Sequence, residues 1–271
     1  MYTARMPLAP RDYAAELLAE ARETHPWLHH RLFRMIGDGE LSRDQVKNVV
    51  REQGAFFLDT LRHAAWKIIS VGGFAPTFED LERQRALIPL VVEEGGHDTI
   101  GGKQTAHAYL FVRLCEGLGW SRDEVFSTAY LPSTIIEKNE LFQLQREGTL
   151  EALCGGNIAT ESINHVVSAR MAAAMEKHYG IPRASLDFYY EHMEVEEDHG
   201  ERAIRILERI ALTDAAQARG RLALRRAITV RRLCADGMYQ AFISEGASTA
   251  PSEASPRNRI APAKPALEKE R

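Results

Sequence analysis

The chain has 271 residues, of which 45% are hydrophobic and 27% charged, and its formal net charge is −4. This balance is typical of a soluble globular protein, and without a basic stripe it argues against a nucleic-acid binder. Three scattered cysteines argue against a disulfide framework. Because we find neither a signal peptide nor a membrane-length apolar run, we expect a cytoplasmic protein without membrane contact.

The hydrophobic periodicity is helical almost throughout, so we predict an all-α fold. Capping boxes mark helix starts at Ser42 and Ser121, and Pro132 and Pro182 mark two others. The predicted helices span residues 11–35, 42–71, 77–95, 103–118, 132–147, 150–179, 183–211 and 214–244. Together they form one helical domain over residues 1–245.

Residues 246–271 differ in composition from the rest of the chain. They hold four of the eleven prolines and almost no large apolar residues. Such a segment buries too little surface to offset the entropy lost on ordering. We therefore predict a disordered C-terminal tail.

The segment from Val91 to His107 combines acids and histidines with two glycine pairs. Each glycine in a helix costs about 1 kcal/mol relative to alanine, so the helix should break or bulge here. An irregularity beside metal-ligating residue types is typical of a functional site. Glu93, Glu94, His97 and His107 are the candidate ligands, although His97 also fits an ordinary loop residue.

Glu161 follows in the predicted helix over residues 150–179. Ile158 and Val166, at helical spacing from it, predict a mostly buried stripe. A buried carboxylate is costly unless it is paired or bound to a metal. Glu161 is therefore a candidate ligand, and a helix-edge glutamate is the alternative.

His192, Glu196 and His199 have offsets of four and seven residues, which place them on one face of a single helix. Two imidazoles and a carboxylate are a typical mixed nitrogen and oxygen ligand set. The alternative is a charged surface helix with two incidental histidines.

A ferritin-like di-iron bundle requires two Glu-x-x-His pairs on regular helices. Glu94-x-x-His97 and Glu196-x-x-His199 have this spacing, but Gly95 and Gly96 occupy the middle of the first pair. The pattern also gives His192 no role. We place this interpretation second.

Taken together, these segments resemble the haem-oxygenase-like di-metal oxidases, which are related in fold to haem oxygenases and to the TenA and PqqC proteins. His107 opens a stretch that ends in Gly117-Leu-Gly119, as the family's ligand histidine does. Glu161 in Thr-Glu-Ser-Ile matches the mid-chain glutamate, and His192, Glu196 and His199 match the final triplet. The resemblance covers roughly residues 20–245 and implies a haem-oxygenase-like helical bundle.

The first glutamate of the ligand set is less clearly marked. The family's Glu-Glu-x-Gly pattern selects Glu93. If the helix were continuous, Glu93 and His107 would lie about 40° apart around the helix axis. Because the glycines put that continuity in doubt, Glu94 remains the alternative ligand. Many family members have a shorter spacing, so this chain carries an insertion.

Three histidines and three carboxylates without a thiolate suit iron, with manganese as an alternative, and six donors imply two metals. The resemblance then implies an O2-dependent, non-haem di-iron oxidase or oxygenase without haem. Its substrate would be a small amine or an amino-acid-derived molecule, undergoing N-oxygenation or oxidative C–C or C–N chemistry in specialised metabolism. We also expect a homodimer, and the chemistry leaves room for an external electron donor.

Several alternatives stay open. A metal-free PqqC-type oxidase is the enzymatic one, although the substrate cage of PqqC is not recognisable here. A helical module with a structural metal is the non-enzymatic one. His25, His29 or His30 could imitate the haem ligand of haem oxygenases, but haem would leave the six predicted ligands unexplained. Asn164 and His165 are candidate contacts to a polar substrate, with a supporting or surface role as the alternative.

Overall fold

A computed structural model of the chain describes residues 6–71, 77–96, 106–127, 129–194 and 196–244. Every regular element in these ranges is helical, and none of them contains a strand, which confirms the predicted all-α class. The predicted tail, residues 246–271, lies outside the described residues. None of the helices described is long and apolar enough to cross a membrane.

The described residues up to Gly117 form seven α-helices. They are α1 (Pro10–Thr24), α2 (Pro26–His29), α3 (Arg31–Asp38), α4 (Arg43–Phe57), α5 (Thr60–Ile69), α6 (Phe78–Glu94) and α7 (His107–Gly117). The second part begins with α8 (Arg122–Ser127), α9 (Pro132–Glu147), α10 (Thr149–Ala152), a π-helix (Leu153–Glu161) and α11 (Ser162–Tyr179). It continues with a 3-10 turn (Arg183–Ser185), α12 (Asp187–Glu194), α13 (Glu196–Ile210), α14 (Asp214–Tyr239) and a second π-helix (Gln240–Ser244).

The capping residues found in the sequence act as predicted. Ser42 and Gln45 form a reciprocal capping box at the start of α4. At the next predicted box, the Ser121 amide donates to Glu124 Oε2 at 2.8 Å, and Pro132 occupies the first turn of α9. Local hydrogen bonds therefore define these helix starts.

The predicted helix over residues 11–35 is broken twice, at His25 and His30. The Nδ1 atom of each histidine accepts a hydrogen bond from a backbone amide two residues ahead, at 3.1 Å and 3.2 Å. Pro26 also disfavours helical backbone at His25. Besides these caps, His29 Nε2 lies 2.7 Å from the Arg22 carbonyl and His30 Nε2 lies 3.0 Å from Asp236 Oδ1. These contacts give all three imidazoles a structural role and count against a haem-ligand assignment.

Two large apolar clusters fill the bundle. One is built mainly by α3, α4, α7, α11 and α12. The other is built by α1, α9, the first π-helix and α14. The long helix α14 packs against both α9 and that π-helix. The π-helix is therefore held inside the bundle, with α9 and α14 as its neighbours.

The π-helix interrupts the predicted helix over residues 150–179 without ending it. Gly155 allows the close packing, because a Cβ atom there would lie 2.6 Å from Leu144 Cδ1 and 3.3 Å from the Ala223 carbonyl oxygen. Since one of these neighbours is backbone, only small shifts could accommodate a methyl group.

We expect Gly155→Ala to destabilise the fold by about 1–3 kcal/mol, because it overpacks the contact between the π-helix, α9 and α14. Urea unfolding followed by circular dichroism measures the change. The control is Gly37→Ala, where the added Cβ would meet only the flexible Arg170 side chain, at 3.3 Å. Equal stability of the two variants would contradict this account of the π-helix.

Candidate functional site

A cavity with about 600 Å³ of empty space, including its opening to solvent, lies between several helices. Helices α4 and α5 contribute aromatic and polar side chains, the end of α6 and the start of α7 contribute an acid and a histidine, and α12 contributes a second histidine. Its lining is Phe56, Phe57, Thr60, His63, Ala64, Lys67, Glu94, His107, Gln145, Gly156, Thr160, Asn164 and His192.

Glu94, His107 and His192 meet at this cavity. Glu94 Oε2 lies 3.0 Å from His107 Nδ1, and the ring centroids of His107 and His192 are 4.8 Å apart. His107 is 7% exposed and His192 8%. Three distant points in the sequence thus supply one carboxylate and two imidazoles to a single buried place.

Glu94 is a carboxylate held in its ionised form. Burial by itself raises the pKa of this side chain, but the hydrogen bond from His107 and the positive charges that His107 and His192 carry when protonated lower the pKa to about 2. The carboxylate is therefore available to a cation at neutral pH.

His192 is oriented by its own helix. Its Nδ1 lies 2.6 Å from the Phe188 carbonyl oxygen, one turn earlier in α12. Because a carbonyl only accepts, Nδ1 carries a proton, and in the neutral imidazole the lone pair is then on Nε2. Fixing the tautomer through Nδ1 is a common way to prepare a histidine for metal binding.

The glycine pair ends the helix that carries Glu94. Helix α6 stops at Glu94, and Gly96 has φ of +74°, which favours glycine. The ferritin-like pattern needs a regular helix from Glu94 to His97, so that alternative is wrong, although His97 itself lies outside the described residues. The angular spacing that favoured Glu93 assumed a continuous helix from Glu93 to His107. Because the helix ends at Glu94, that spacing no longer supports Glu93 over Glu94.

Four of the six predicted ligands, Glu93, Glu161, Glu196 and His199, have side chains outside those described. Their assignment stays a prediction. Within the described residues, no group of three or more His, Cys, Asp or Glu side chains could hold a metal ion. The single face predicted for His192, Glu196 and His199 is also untested, because α12 ends at Glu194, α13 begins at Glu196 and Val195 is not described.

The buried stripe expected around Glu161 is only half correct. Ile158 is completely buried, but Val166 is 51% exposed. Val166 follows Glu161 by five residues, which is about 140° around a regular α-helix, so this spacing does not continue the buried face. Of the two nearby polar candidates, Asn164 lines the cavity and His165 is exposed.

Sequence reasoning missed the contribution of α5. Thr60, His63, Ala64 and Lys67 all line the cavity, and Lys67 Nζ donates to Asn157 Oδ1 of the π-helix at 2.8 Å. Their spacings of three, four and seven residues are those of one helix face. Polar residues recurring at core spacing were the available signal.

His63 is the most unusual of these residues. It is 3% exposed, with its ring between Phe56 and Phe142, at centroid distances of 4.9 Å and 5.3 Å. Among the described residues, neither ring nitrogen has a hydrogen-bond partner. Burial, aided by the charge of Lys67, lowers its pKa to about 4, so the imidazole is neutral at physiological pH.

Residues 56–232 match the family model described as iron-containing redox enzyme. The chain belongs to this family. It is also 23% identical over 236 residues to the bifunctional coenzyme PQQ synthesis protein C/D of Methylorubrum extorquens. That match covers 85% of this chain but only 60% of the relative's length.

Solved structures show the same fold. A domain of unknown function from Shewanella denitrificans with a haem-oxygenase-like fold has a TM-score of 0.66 at 14% identity, covering 88% of this chain and 94% of that one. A CADD-like protein from Nostoc punctiforme has a TM-score of 0.67 at 16% identity, covering 86% and 98%. A TenA homologue from Pseudomonas syringae has a TM-score of 0.64 at 14% identity, covering 87% and 94%. The haem-oxygenase-like bundle and the resemblance read from the sequence are confirmed.

The described donors are of the types that iron binds, although by themselves they do not form a group that could hold the ion. Glu94 Oε2 and His107 Nδ1 lie 3.0 Å apart as an ion pair, and a cation could replace the proton between them. A carboxylate and imidazoles also suit iron or manganese in their chemistry.

The low pKa of His63 predicts an acid-sensitive fold. In the unfolded chain the pKa of His63 is near 6.5. Below that pH the unfolded chain binds a proton at His63 and the folded chain does not, so the free energy of unfolding falls as the pH drops towards 4. Between pH 7 and pH 5, we expect the free energy of unfolding to fall by about 1–2 kcal/mol less in His63→Asn than in the wild type. Urea unfolding at both pH values measures it. The exposed His165→Asn is the control, and equal pH dependence in wild type and His63→Asn would contradict the prediction.

Proposed function

We propose that this protein is an O2-dependent, non-haem di-iron oxidase or oxygenase acting on a small amine or amino-acid-derived substrate. The observation that carries the proposal is the convergence of Glu94, His107 and His192 at one buried cavity. Membership of a family of iron-containing redox enzymes supports it. A carboxylate and two imidazoles are donors that this family's metal requires.

The iron ligands in this proposal are the three described residues together with predicted ones. Glu94, His107 and His192 would bind iron with Glu161, Glu196 and His199, and a set of six donors exceeds what one open metal site needs. Glu94 is favoured by its 3.0 Å approach to His107, and Glu93 is the alternative. Manganese is the alternative metal.

Ferrous iron, when bound, supplies the electrons for O2 reduction. The chain itself contributes orientation and shielding. Phe188 holds the His192 ring through its carbonyl group, and Phe56 and Phe57 give the cavity apolar walls that limit water. N-oxygenation or oxidative C–C or C–N chemistry would follow on a substrate held in this cavity, and an external donor could return the electrons.

Two alternatives compete with this function. The PQQ synthesis relative supports a metal-free PqqC-type oxidase, although identity is 23% and the match covers 60% of that protein. A helical module with a structural metal would use the same histidines without turnover. A homodimeric assembly and a cytoplasmic location belong to the proposal as well.

The deciding experiment is anaerobic Fe(II) titration followed by mixing with O2. We expect about two irons per wild-type chain, with O2 consumed after mixing. His107→Ala and His192→Ala should each reduce the bound iron, because each removes a donor at the cavity. The exposed His165→Ala is the matched control and should keep wild-type iron content.

Each alternative predicts a different result. Full iron retention in both histidine variants would overturn the assignment. Oxidation of substrate by chelator-treated protein would favour the metal-free oxidase. Equal thermal stabilisation by zinc and iron, without O2 consumption, would favour the structural metal.

Adjacent acids provide a finer test of the first ligand. We expect Glu94→Gln to weaken iron binding more than Glu93→Gln, because Glu94 is the acid placed against His107. Iron content after gel filtration compares the two isosteric changes. The reverse order would restore Glu93 as the ligand.

A further inference from the structure

Helix α6 carries an apolar stripe on its outer side. The stripe consists of Phe78, Leu81, Ile88 and Val92, which are 78%, 49%, 50% and 38% exposed, respectively. Their spacing along the helix places all four side chains within about 80° around its axis. Single exposed apolar residues are normal on a protein surface, whereas several on one face mark an interaction surface.

The inner side of α6 is a different face. It is centred on the buried Leu87, which packs in a small apolar cluster with Val71, Leu153 and Ile206. This face lies about 140° around the axis from the middle of the stripe. Among the described helices, α5 is the main neighbour of α6. A surface helix normally has one apolar face, and α6 has a second one that the described residues leave uncovered.

The stripe has the spacing of a seam between two helices. Phe78, Leu81, Arg85 and Ile88 follow each other in steps of three, four and three residues, as the a and d positions of a coiled coil do. Side chains at these positions pack between those of a facing helix. The occupant that this spacing predicts is therefore a helix. Val92 lies beyond Pro89, so the regular seam runs from Phe78 to Ile88.

The charged position of the seam restricts the choice of helix. Arg85 is exposed, and so is Glu82 at the edge of the stripe. The neighbouring acids Glu79 and Asp80 are paired with Arg83, whereas Glu82 and Arg85 form no ion pair among the described residues. A helix that covers this face must bring a base to Glu82 and an acid to Arg85.

A second copy of α6 meets this requirement when it runs antiparallel to the first. If Leu81 faces Arg85 of the second copy, Phe78 faces its Ile88, and two-fold symmetry repeats both contacts. Since Glu82 follows Leu81 directly, each Arg85 then lies beside Glu82 of the other copy. A parallel pair in register would instead place the two Arg85 side chains against each other.

We propose that α6 is the dimer interface of this protein and pairs antiparallel with α6 of a second copy. The inference rests on the homodimeric assembly included in the proposed function and assigns that assembly to a surface. Because α6 ends at Glu94, the same contact would hold from outside the helix that carries this candidate ligand. A seam of about three turns is smaller than the ~1,200 Å² of stable complexes, so we expect micromolar dissociation.

The first test measures the oligomeric state of the full-length protein by sedimentation velocity across the micromolar range. Ile88→Glu places a charge in the seam and should raise the dissociation constant about ten-fold or more. Leu222→Glu is the matched control, because Leu222 is 58% exposed and lies on α14. The control should dimerise as the wild type does, and circular dichroism should show equal helix content in both variants.

A charge reversal tests whether the facing helix is α6 itself. Glu82→Arg and Arg85→Glu each bring like charges together across the seam, so each variant alone should dimerise about ten-fold more weakly than the wild type. An equimolar mixture of the two variants again pairs an acid with each base. The mixture should therefore form heterodimers more tightly than either variant forms homodimers.

Three results would overturn the inference. One is a protein that stays monomeric across the micromolar range. Another is a dimer that Ile88→Glu and Leu222→Glu leave equally strong, which would keep the homodimer but place its interface elsewhere. The third is a mixture of the two charge variants that associates no better than either variant alone. Iron binding at the cavity is measured separately by the Fe(II) titration, so failure of the dimer interface and failure of the iron assignment are distinguishable.

Discussion

The largely buried Glu94 carboxylate constrains how the helices around the cavity meet. A buried charge without compensation destabilises a fold by several kcal/mol. Here the compensation comes from His107 at 3.0 Å and from His192 beyond it, which belong to different helices. The ends of α6 and α7 and the side of α12 must therefore meet, and that meeting point is the wall of the cavity. A cation bound there would take over the same compensating role.

Irregular backbone surrounds this point. Helix α6 ends at Glu94 beside a glycine with positive φ, and a nine-residue π-helix runs from Leu153 to Glu161. Within the π-helix, Gly156 and Thr160 line the cavity while Ile158 stays in the core. Gly155 permits the close approach of α9 and α14 that holds the interruption in place.

The cavity combines two kinds of surface with different tasks. Glu94, His107 and His192 supply a carboxylate and two imidazoles, which are donor types that iron binds. His63, Gln145 and Thr160 carry buried polar atoms without a hydrogen-bond partner among the described residues. Phe56, Phe57 and Phe142 limit water and fix the His63 ring.

The sequence determined the helical class, most helix ends and the candidate histidines, because periodicity, capping boxes and prolines act within a few residues. The family resemblance also came from local motifs around His107, Glu161 and His192. Tertiary structure decided which acid faces His107 and that α5 contributes His63 to the cavity. These features depend on contacts between elements far apart in the chain. A pattern along one helix shows which residues share a face, but only the packed bundle shows what that face meets.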